Sequence, residues 1–510
     1  MLSISLPMSP AADQLNLFAQ ARAQYQILQT GFGTGKQFFA TCAAWQAADK
    51  PQTRLHYVAI DPQPLSLSAL SAALSEQDFA TPALRELAQQ LLLQWPPLFK
   101  GFHLLQLTEQ VSLLLVSGEV ADCLPQIVAE FDACYAESAL SLAVQVSHHR
   151  LAYPTNVTVI GAGIAGASVA RALARRGIAV TVLERSHPAS GGSGNPVAVV
   201  RAEPGGAHHP ITALSAAGVS WLMRWVAAHG QSVNHDFCGA IRITRDERRH
   251  QKLATHAQDF PPQWLREIPR DEASALAGQT VADAGFLLPY AGWIEPAALV
   301  HALLDHPCIS VKTGVTVQSL QRHPTQGDWQ MRSDDGLHTA ACVVLASAFA
   351  QGLSPHALAI DSARGQLSLL PERAGHDLQM VMCRDGYITP AVNGMHTIGA
   401  TMQKNDPCTE ARLTDDTENF QRVQRLLPGF ATDATQIVSG RVSWRAVTQD
   451  RLPLVGRIEE GLYASLAHGA RGMSCAPLCG EWLAALMVGE ALPLPAPWRA
   501  FLDPLRFTVR

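Results

Sequence analysis

The chain has 510 residues, which is long for one hydrophobic core and predicts two or three domains. Its 47% hydrophobic and 16% charged residues are typical of a soluble globular protein, and its net charge of −5 excludes a general polyanion binder. Apolar runs fall far short of the roughly 20 residues of a membrane span. Ten cysteines without a pairing rhythm favour reduced thiols and no metal site, and composition leaves an RNA partner open.

The first predicted elements form an α/β unit within residues 1–150. A strand at Tyr25–Leu28 leads into the glycine-rich string TGFGTG (Thr30–Gly35), and a second strand at Leu55–Ile60 ends at Asp61. Polar and proline residues between Ser147 and Asn156 mark the boundary with the rest of the chain. The other elements predicted in this unit are helices at Lys36–Ala48, Leu65–Leu74 and Pro82–Leu93 and a strand at Gln110–Val116.

A second βαβ unit begins at Val157. A strand at Val157–Ile160 precedes a turn containing Gly161, Gly163 and Gly166, and a helix at Ala167–Arg176 leads to a strand at Ala179–Leu183. A GxGxxG motif in this context lets the backbone approach a pyrophosphate, whose charge the amino end of the helix stabilises.

The residues at the end of the second strand indicate which nucleotide is bound. Glu184 is placed to accept hydrogen bonds from a ribose diol, whereas Arg185 alone would suggest a 2′-phosphate. The acidic side chain therefore argues against NADP.

Two further glycine-rich segments favour FAD over NAD. ASGGSGNP (Ala189–Pro196) follows the second strand, and HGARGMSCAPLCGEWLA (His468–Ala484) forms a turn before a helix predicted at Gly480–Val488. The amino end of that helix would stabilise negative charge on a reduced flavin. The predicted cofactor-binding residues are Gly161, Ala162, Gly163, Ile164, Ala165, Gly166, Glu184, Arg185, Ser193, Gly194, Asn195, Gly469, Arg471, Gly472 and Met473.

The predicted fold class is α/β. A doubly wound FAD-binding domain (about 155–240, 295–350 and 440–490) carries an inserted mixed or antiparallel substrate domain, and the N-terminal α/β unit is incomplete. The later predicted strands are Ile241–Thr244, Cys342–Ala346, Gln366–Leu370, Gly386–Thr389 and His396–Gly399.

Several strings carry a family resemblance in addition to ASGGSGNP. They are PYAGWIEPAAL (Pro289–Leu299), CRDGYITP (Cys383–Pro390), RAVTQDRLPLVG (Arg445–Gly456) and RGMSCAPLCGEWLA. With them, residues 157–510 resemble the D-amino-acid-oxidase-like superfamily, which includes glycine and sarcosine oxidases. More narrowly, they resemble the C-terminal oxidoreductase of the bifunctional enzymes of tRNA 5-methylaminomethyl-2-thiouridine biosynthesis.

The resemblance implies a cytoplasmic flavoenzyme that acts on tRNA. It would oxidise the glycine moiety of 5-carboxymethylaminomethyl-(2-thio)uridine at the wobble position, releasing glyoxylate and leaving 5-aminomethyl-(2-thio)uridine. It also implies that Arg445 binds the substrate carboxylate and that Tyr387 borders the substrate. A small-molecule amine or amino-acid oxidase and a non-catalytic FAD-bound scaffold remain the alternatives. The oligomeric state is left open.

Five further residues have both a structural and a functional interpretation. In the relatives the segment containing Arg364 and Gln366 packs beside the flavin, and Arg451 either contacts substrate or caps a turn. Trp293 is interpreted as core rather than as a stacking wall, and Cys475 as packing.

The resemblance extends to the N-terminal unit. There TGFGTG would begin the S-adenosylmethionine site of a methyltransferase, and Asp61 would supply its acidic residue. Glu137 and Ser138 stand where the family has Asp-Gly, and the closing strands are missing. We therefore predict a degenerate methyltransferase, for which S-adenosylmethionine is a doubtful cofactor.

Overall fold

The structure is a computed structural model. It describes residues 17–18, 23–48, 53–97, 99–135, 154–206, 208–324, 327–350, 352–375, 377–431 and 433–508. Glu137 and Ser138 lie outside these ranges.

The N-terminal unit contains a five-stranded sheet. Its elements are β1 (Gln24–Thr30), α1 (Lys36–Ala47), β2 (Arg54–Asp61), α2 (Leu67–Ser75), α3 (Pro82–Leu93), β3 (Gly101–Gln106), β4 (Val111–Ser117), α4 (Val120–Cys123) and β5 (Ala133–Tyr135). The strand order is β3-β4-β2-β1-β5, and all pairs are parallel except β3 with β4. Every element predicted here is confirmed within two residues, whereas β3, α4 and β5 were not predicted.

The two faces of this sheet pack against different partners. Side chains alternate along a strand, so Tyr57 of β2 faces the cluster formed with helices α1–α3. Its neighbours Val58 and Ile60 belong instead to the hydrophobic core of the C-terminal unit. One face of the N-terminal sheet is therefore covered by the rest of the same chain.

The C-terminal unit holds the remaining elements. Its first half contains β6 (Asn156–Ile160), α5 (Ile164–Ala174), β7 (Ala179–Glu184), β8 (Ala198–Arg201), α6 (Pro210–His229), β9 (His235–Asp236), β10 (Ala240–Arg242), α7 (Glu247–Ala257), β11 (Arg266–Ile268), α8 (Arg270–Ala277), β12 (Gly285–Leu288), β13 (Ala291–Ile294), α9 (Pro296–Leu304) and β14 (Ile309–Thr313). Its second half contains β15 (Val317–Arg322), β16 (Trp329–Ser333), β17 (Gly336–Ala340), β18 (Val343–Leu345), β19 (Asp361–Pro371), β20 (Val381–Cys383), β21 (Tyr387–Ile388), β22 (Met395–Gly399), β23 (Gln403–Lys404), α10 (Leu413–Leu426), β24 (Ser439–Val447), β25 (Leu454–Glu459), β26 (Leu462–Leu466), α11 (Gly472–Val488) and α12 (Trp498–Leu502).

These strands form four sheets, of which the two largest are those that the sequence predicts. The two smaller sheets have the orders β8-β13-β9 and β15-β16-β17. A six-stranded sheet has the order β14-β7-β6-β18-β26-β25, parallel except for β25 with β26. A nine-stranded mixed sheet contains β10–β12 and β19–β24, with β24 paired to β19. The fold is α/β, with a parallel nucleotide-binding sheet and a separate mixed sheet above it.

Two helix starts differ from the sequence prediction. Helix α5 begins at Ile164 instead of Ala167, so Gly166 lies within its first turn. Helix α11 begins at Gly472 instead of Gly480 and is buried along nearly its whole length. Gly472 and Pro477 are poor helix formers in isolation, and burial in the core stabilises the helix despite them.

A buried network of charges joins the two units. Arg176 donates to Glu481 at 2.8 Å and to Glu490 at 2.9 Å, and Arg54 of β2 lies 4.0 Å from the Glu490 carboxylate. The side chain of Gln26 also donates to the carbonyl of Gly489 at 2.8 Å. Polar contacts and a shared core thus connect the N-terminal sheet to α5 and α11.

Among the described residues, helix α6 is the one helix whose length and apolar composition would allow it to cross a membrane. However, 67% of its most apolar window is buried in the protein, as in the core helix of a folded unit.

Candidate active site

Glycines shape the loop between β6 and α5. Gly161 has a φ of 110°, in the region that disfavours other residues. A Cβ there would lie 2.8 Å from the carbonyl oxygen of Ala346, and one at Gly166 would overlap the carbonyl oxygen of Gly161. The backbone of this loop therefore packs too closely for side chains, as a pyrophosphate-binding turn requires.

The ASGGSGNP loop folds over the amino end of α5. The Ser193 hydroxyl accepts a hydrogen bond from the Ile164 N–H at 2.9 Å, and Ala189 N–H donates to the Ala162 carbonyl at 3.0 Å. Arg441, which sequence reasoning missed, donates to Asn195 Oδ1 at 2.7 Å and to the Gly191 carbonyl at 2.6 Å. A residue distant in sequence thus holds this loop beside the helix.

Glu184 lies at the carboxyl end of β7, as expected. Its Oε2 accepts a hydrogen bond from the Ala162 N–H at 2.8 Å, and its Oε1 accepts one from the Ser186 N–H at 3.0 Å. The side chain lines the cavity described next, where a ribose could reach it. Its neighbour Arg185 is exposed and lines the same cavity.

A cavity of about 840 Å³ extends from these loops to strand β24. Most of the predicted site residues meet there, from three separate parts of the chain. Ala162, Gly166 and Gly194 are not among the lining residues, and they act on the shape of the loops. The predicted residues that line it are Gly161, Gly163, Ile164, Ala165, Glu184, Arg185, Ser193, Asn195, Tyr387, Arg445, Gly469, Arg471, Gly472 and Met473.

The turn before α11 contributes a half-buried histidine that the sequence did not single out. His468 Nε2 lies 3.0 Å from Ser465 Oγ, whereas its Nδ1 is buried and has no hydrogen-bond partner among the described residues. Burial lowers the pKa of His468 to about 4, so the ring is neutral at physiological pH. This histidine and the adjacent amino end of α11 fit a polar heterocycle such as a flavin.

Arg445 brings a cation into the substrate side of the cavity. It lies opposite Ala363 in the β19–β24 pair, and its Nη1 donates to the Thr401 carbonyl at 3.3 Å. A Cβ at Gly365 would overlap its guanidinium, so this glycine makes room for it. No carboxylate of the described residues forms an ion pair with Arg445.

Tyr387 lies on the same wall, at the start of β21. Burial raises the pKa of its hydroxyl, although the charge of Arg445 acts in the opposite direction. The hydroxyl is therefore protonated at neutral pH and available as a hydrogen-bond donor.

Arg201 and Glu203 also line this cavity, and neither was predicted. Their side chains form an ion pair at 3.3 Å, and Glu203 lies 3.6 Å from Arg471. Although burial acts in the opposite direction, Arg201 and Arg471 hold the pKa of Glu203 below its usual value. Arg201 is the last residue of β8 and Glu203 follows it by two residues, and no sequence motif identifies either.

The side chains of Arg364 and Gln366 do not line this cavity, although the segment that contains them packs against Arg445 at Gly365. Both side chains are fully buried on the other face of β19. Arg364 pairs with Asp415 at 2.6 Å, and Gln366 donates to Asp416 at 2.8 Å, so they bind β19 to helix α10.

Burial supports the packing interpretation of Trp293 and of Cys475. Trp293 is 7% exposed in β13 and belongs to the core, as interpreted. Cys475 is buried in α11, and burial raises the pKa of its thiol to about 12, in agreement with a packing role. Arg451 is exposed and lines a second cavity.

The N-terminal glycine-rich loop has a different environment. Asp61 Oδ2 accepts hydrogen bonds from the Phe32 and Gly33 N–H groups at 2.9 and 3.0 Å, and Oδ1 accepts one from Gln63 N–H at 2.9 Å. The Phe32 ring is 2% exposed and lies 5.6 Å from that of Trp95. Both oxygens of the acidic residue are therefore engaged by backbone of the same βαβ unit.

Comparison with known proteins agrees with this geometry. The model of the FAD dependent oxidoreductase family DAO matches residues 156–486. In the solved structures, the chain resembles glycine oxidase from Geobacillus kaustophilus, with a TM-score of 0.61, 19% identity, and coverage of 69% of this chain and 99% of that one. This likeness shows the fold.

Two curated relatives match nearly the whole chain. The tRNA 5-methylaminomethyl-2-thiouridine biosynthesis bifunctional protein MnmC of Thiobacillus denitrificans is 33% identical over 568 residues, covering 95% of this chain and 90% of the relative. The protein of the same name from Chromobacterium violaceum is 30% identical over 596 residues, with the same coverage. The chain belongs to the DAO family of FAD-dependent oxidoreductases and, over nearly its full length, to the MnmC family of bifunctional proteins.

Proposed function

We propose that the C-terminal unit removes the carboxymethyl group from 5-carboxymethylaminomethyl-(2-thio)uridine at the wobble position of tRNA and leaves 5-aminomethyl-(2-thio)uridine. The family supports a tRNA substrate, because the relatives are named for a tRNA nucleoside. Since tRNA is a cytoplasmic molecule, we place the reaction in the cytoplasm.

The observation that carries the proposal is the uncompensated charge of Arg445. Burial lowers the pKa of its guanidinium, yet no carboxylate pairs with it among the described residues. A partly buried cation without a counterion is costly unless a ligand supplies one. The carboxylate of an N-substituted glycine has the charge and the two oxygens that a guanidinium binds best.

The reaction separates into oxidation and hydrolysis. FAD, when bound, accepts the hydride from the glycine carbon. The amine proton is lost to water, and the resulting C=N bond of the substrate adds water and breaks into glyoxylate and the aminomethyl nucleoside. Arg445 would hold the carboxylate so that the reacting carbon is oriented, and the Tyr387 hydroxyl would donate a second hydrogen bond to it.

The residues around the nucleotide loops fit FAD. Glu184 would accept hydrogen bonds from the ribose, and the backbone from Gly161 to Gly166 would bind the pyrophosphate. The exposed Arg185 would lie near the adenosine portion. On the other side, the flavin end would be surrounded by Ser193 and Asn195 and by the turn residues Gly469, Arg471, Gly472 and Met473.

We further propose that the N-terminal unit transfers no methyl group. Phe32 of the glycine-rich loop is 2% exposed and packs into the core, and Glu137 and Ser138 replace the family's Asp-Gly. The product would therefore remain 5-aminomethyl-(2-thio)uridine. This proposal places all catalysis in residues 155–510.

Nucleoside mass spectrometry tests both proposals. Purified protein is incubated with tRNA carrying 5-carboxymethylaminomethyl uridine, with and without S-adenosylmethionine, and Arg445→Met serves as the control. We expect conversion to the 5-aminomethyl nucleoside, unchanged by S-adenosylmethionine. A methylated product would contradict the N-terminal proposal, and a flavoprotein that leaves the tRNA unchanged but oxidises free N-substituted glycines would contradict the tRNA substrate.

A further inference from the structure

A second cavity adjoins the active-site cavity. Its volume is about 400 Å³, and it lies among the amino end of α6, helix α7 and the turn before α11. Glu203, Arg242, Arg245 and Arg471 line both cavities. The two spaces are therefore continuous, and a ligand in one can extend into the other.

The lining of this second cavity is strongly basic, and we call it the basic groove. Six arginine and lysine side chains line it, together with one acidic side chain, Glu203. The basic residues are Arg242, Arg245, Arg249, Lys252, Arg451 and Arg471. In a chain of net charge −5, this concentration is a local feature. Concave walls of low polarity strengthen the field of such a cluster.

Internal counterions neutralise little of this charge. Glu203 interacts with both Arg201 and Arg471, so its single charge is shared between two arginines, and its distance of 3.6 Å to Arg471 Nε is longer than a hydrogen bond. Burial, and then the neighbouring Arg201, lower the pKa of Arg242. Arg249 has its own partner in Asp246 at 2.5 Å, whereas Lys252 is exposed. The six basic side chains of the groove therefore outnumber its one acidic side chain, Glu203.

We propose that the basic groove binds backbone phosphates of the RNA strand that flank the nucleotide oxidised in the active site, an inference that rests on the proposed function. An anion that is covalently joined to the substrate can reach the groove, because the two cavities share their boundary residues. Single-stranded RNA meets this condition, since a base can turn into the cavity while its neighbours remain outside. The exposed Lys252 suits a flexible phosphate backbone, to which it contributes a point charge.

Substitutions at Lys252 test the groove against a matched position. Lys252→Ala and Lys252→Glu are compared with Lys312→Ala and Lys312→Glu, because Lys312 is exposed on the edge strand β14 and lines neither cavity. Kinetics are measured with tRNA carrying 5-carboxymethylaminomethyl uridine, and anaerobic flavin reduction is measured with the free modified nucleoside, which lacks phosphates.

We expect the Lys252 variants to raise KM for the tRNA by roughly threefold for alanine and tenfold for glutamate, with kcat unchanged. The salt dependence of tRNA binding should weaken by about 0.7 in its logarithmic slope per lost contact with a single strand. In the Lys252 variants, the rate of flavin reduction by the nucleoside should match that of the wild type. Both Lys312 variants should match the wild type in every assay.

Three results would overturn the inference. In the first, the Lys252 and Lys312 variants have equal KM values for the tRNA, so the groove plays no special part. In the second, the Lys252 variants slow flavin reduction by the nucleoside as much as turnover of the tRNA, which assigns Lys252 to the active site. In the third, the wild type leaves the modified tRNA unchanged, and the proposed function fails with it.

Discussion

The chain contains two glycine-rich βαβ units that begin alike and differ in what surrounds them. In each, a buried strand leads into a glycine loop and a helix, and the next strand ends in an acidic residue, Asp61 or Glu184. In both units the acidic side chain accepts backbone N–H hydrogen bonds with both of its oxygens. The surroundings differ, because Phe32 of the first loop packs into the core. Glu184 lines an 840 Å³ cavity that other segments complete.

The difference shows that the loop alone does not make a nucleotide site. The second loop has partners from distant parts of the chain, because Arg441 holds the segment opposite it and α11 begins beside it. The N-terminal sheet instead uses one face to pack against the C-terminal unit. We therefore interpret the first unit as structural and the second as catalytic.

Among substitutions that test the difference between the two units, we expect the largest effect from one at Arg445. Arg445→Met should lower kcat/KM for the modified tRNA about 1000-fold, equivalent to about 4 kcal/mol, because the substrate carboxylate loses its counterion. Steady-state kinetics with the FAD-loaded protein measure this loss. Asp61→Asn, in the other unit, is the control and should retain normal turnover. Equal losses in both variants would contradict the division into a catalytic and a structural unit.

Some residues of the candidate site could be predicted from the sequence, and others could not. The glycines and Glu184 were predicted from a local motif, and Arg445 was predicted from the resemblance to the oxidase superfamily. The orientation of Arg364 was not, because the register of β19 against β24 and the packing of α10 decide which face a strand residue occupies. His468 and Arg201 enter the cavity only through tertiary packing, and no local pattern identifies them.

The second largest effect is a loss of stability, expected when the buried charges between the two units are changed. Glu490→Gln should destabilise the protein by about 3 kcal/mol, because it leaves Arg176 with an incomplete set of partners in a buried site. Chemical unfolding at pH 7 measures this change. Glu109→Gln is the control, since Glu109 is a 53% exposed partner of Arg171 and should contribute less than about 0.5 kcal/mol.

The same network predicts an acid limit of stability. Burial alone would raise the pKa values of Glu481 and Glu490, but Arg176 holds both below the ordinary value of 4.5. Acids with a lowered folded-state pKa stabilise the protein above their unfolded pKa, and this contribution is lost as the pH falls below about 4.5. Unfolding of the wild type between pH 7 and pH 3.5 should show this loss, and Glu490→Gln should show a smaller one. Parallel curves for the two proteins would exclude Glu490 as a source of the pH dependence.

The next effect, on the affinity for FAD, is expected to distinguish Glu184 from Asp61. Glu184→Gln should weaken FAD binding roughly 10-fold, or about 1.4 kcal/mol, because an amide accepts the ribose hydrogen bonds less strongly than a carboxylate. Asp61→Asn should leave FAD affinity unchanged. Flavin fluorescence during titration of the apoprotein measures both constants, and a weaker affinity in Asp61→Asn would show that the first loop influences the flavin site.

The smallest effect is expected at a glycine of the first loop. Gly33 has a φ of 54°, and a Cβ there would meet nothing within 4 Å. Gly33→Ala should therefore cost only about 1 kcal/mol of stability, from backbone strain alone, and leave oxidation of the tRNA intact. Thermal unfolding and activity measured together check this, and loss of activity without loss of stability would indicate a ligand at the first loop.

Equilibrium dialysis of the apoprotein against FAD and, separately, against labelled S-adenosylmethionine tests the comparison most directly. The account predicts one FAD bound per chain and no saturable binding of S-adenosylmethionine at micromolar concentrations. Saturable S-adenosylmethionine binding that Asp61→Asn abolishes would show that the first glycine-rich loop is a working nucleotide site, and it would contradict the account.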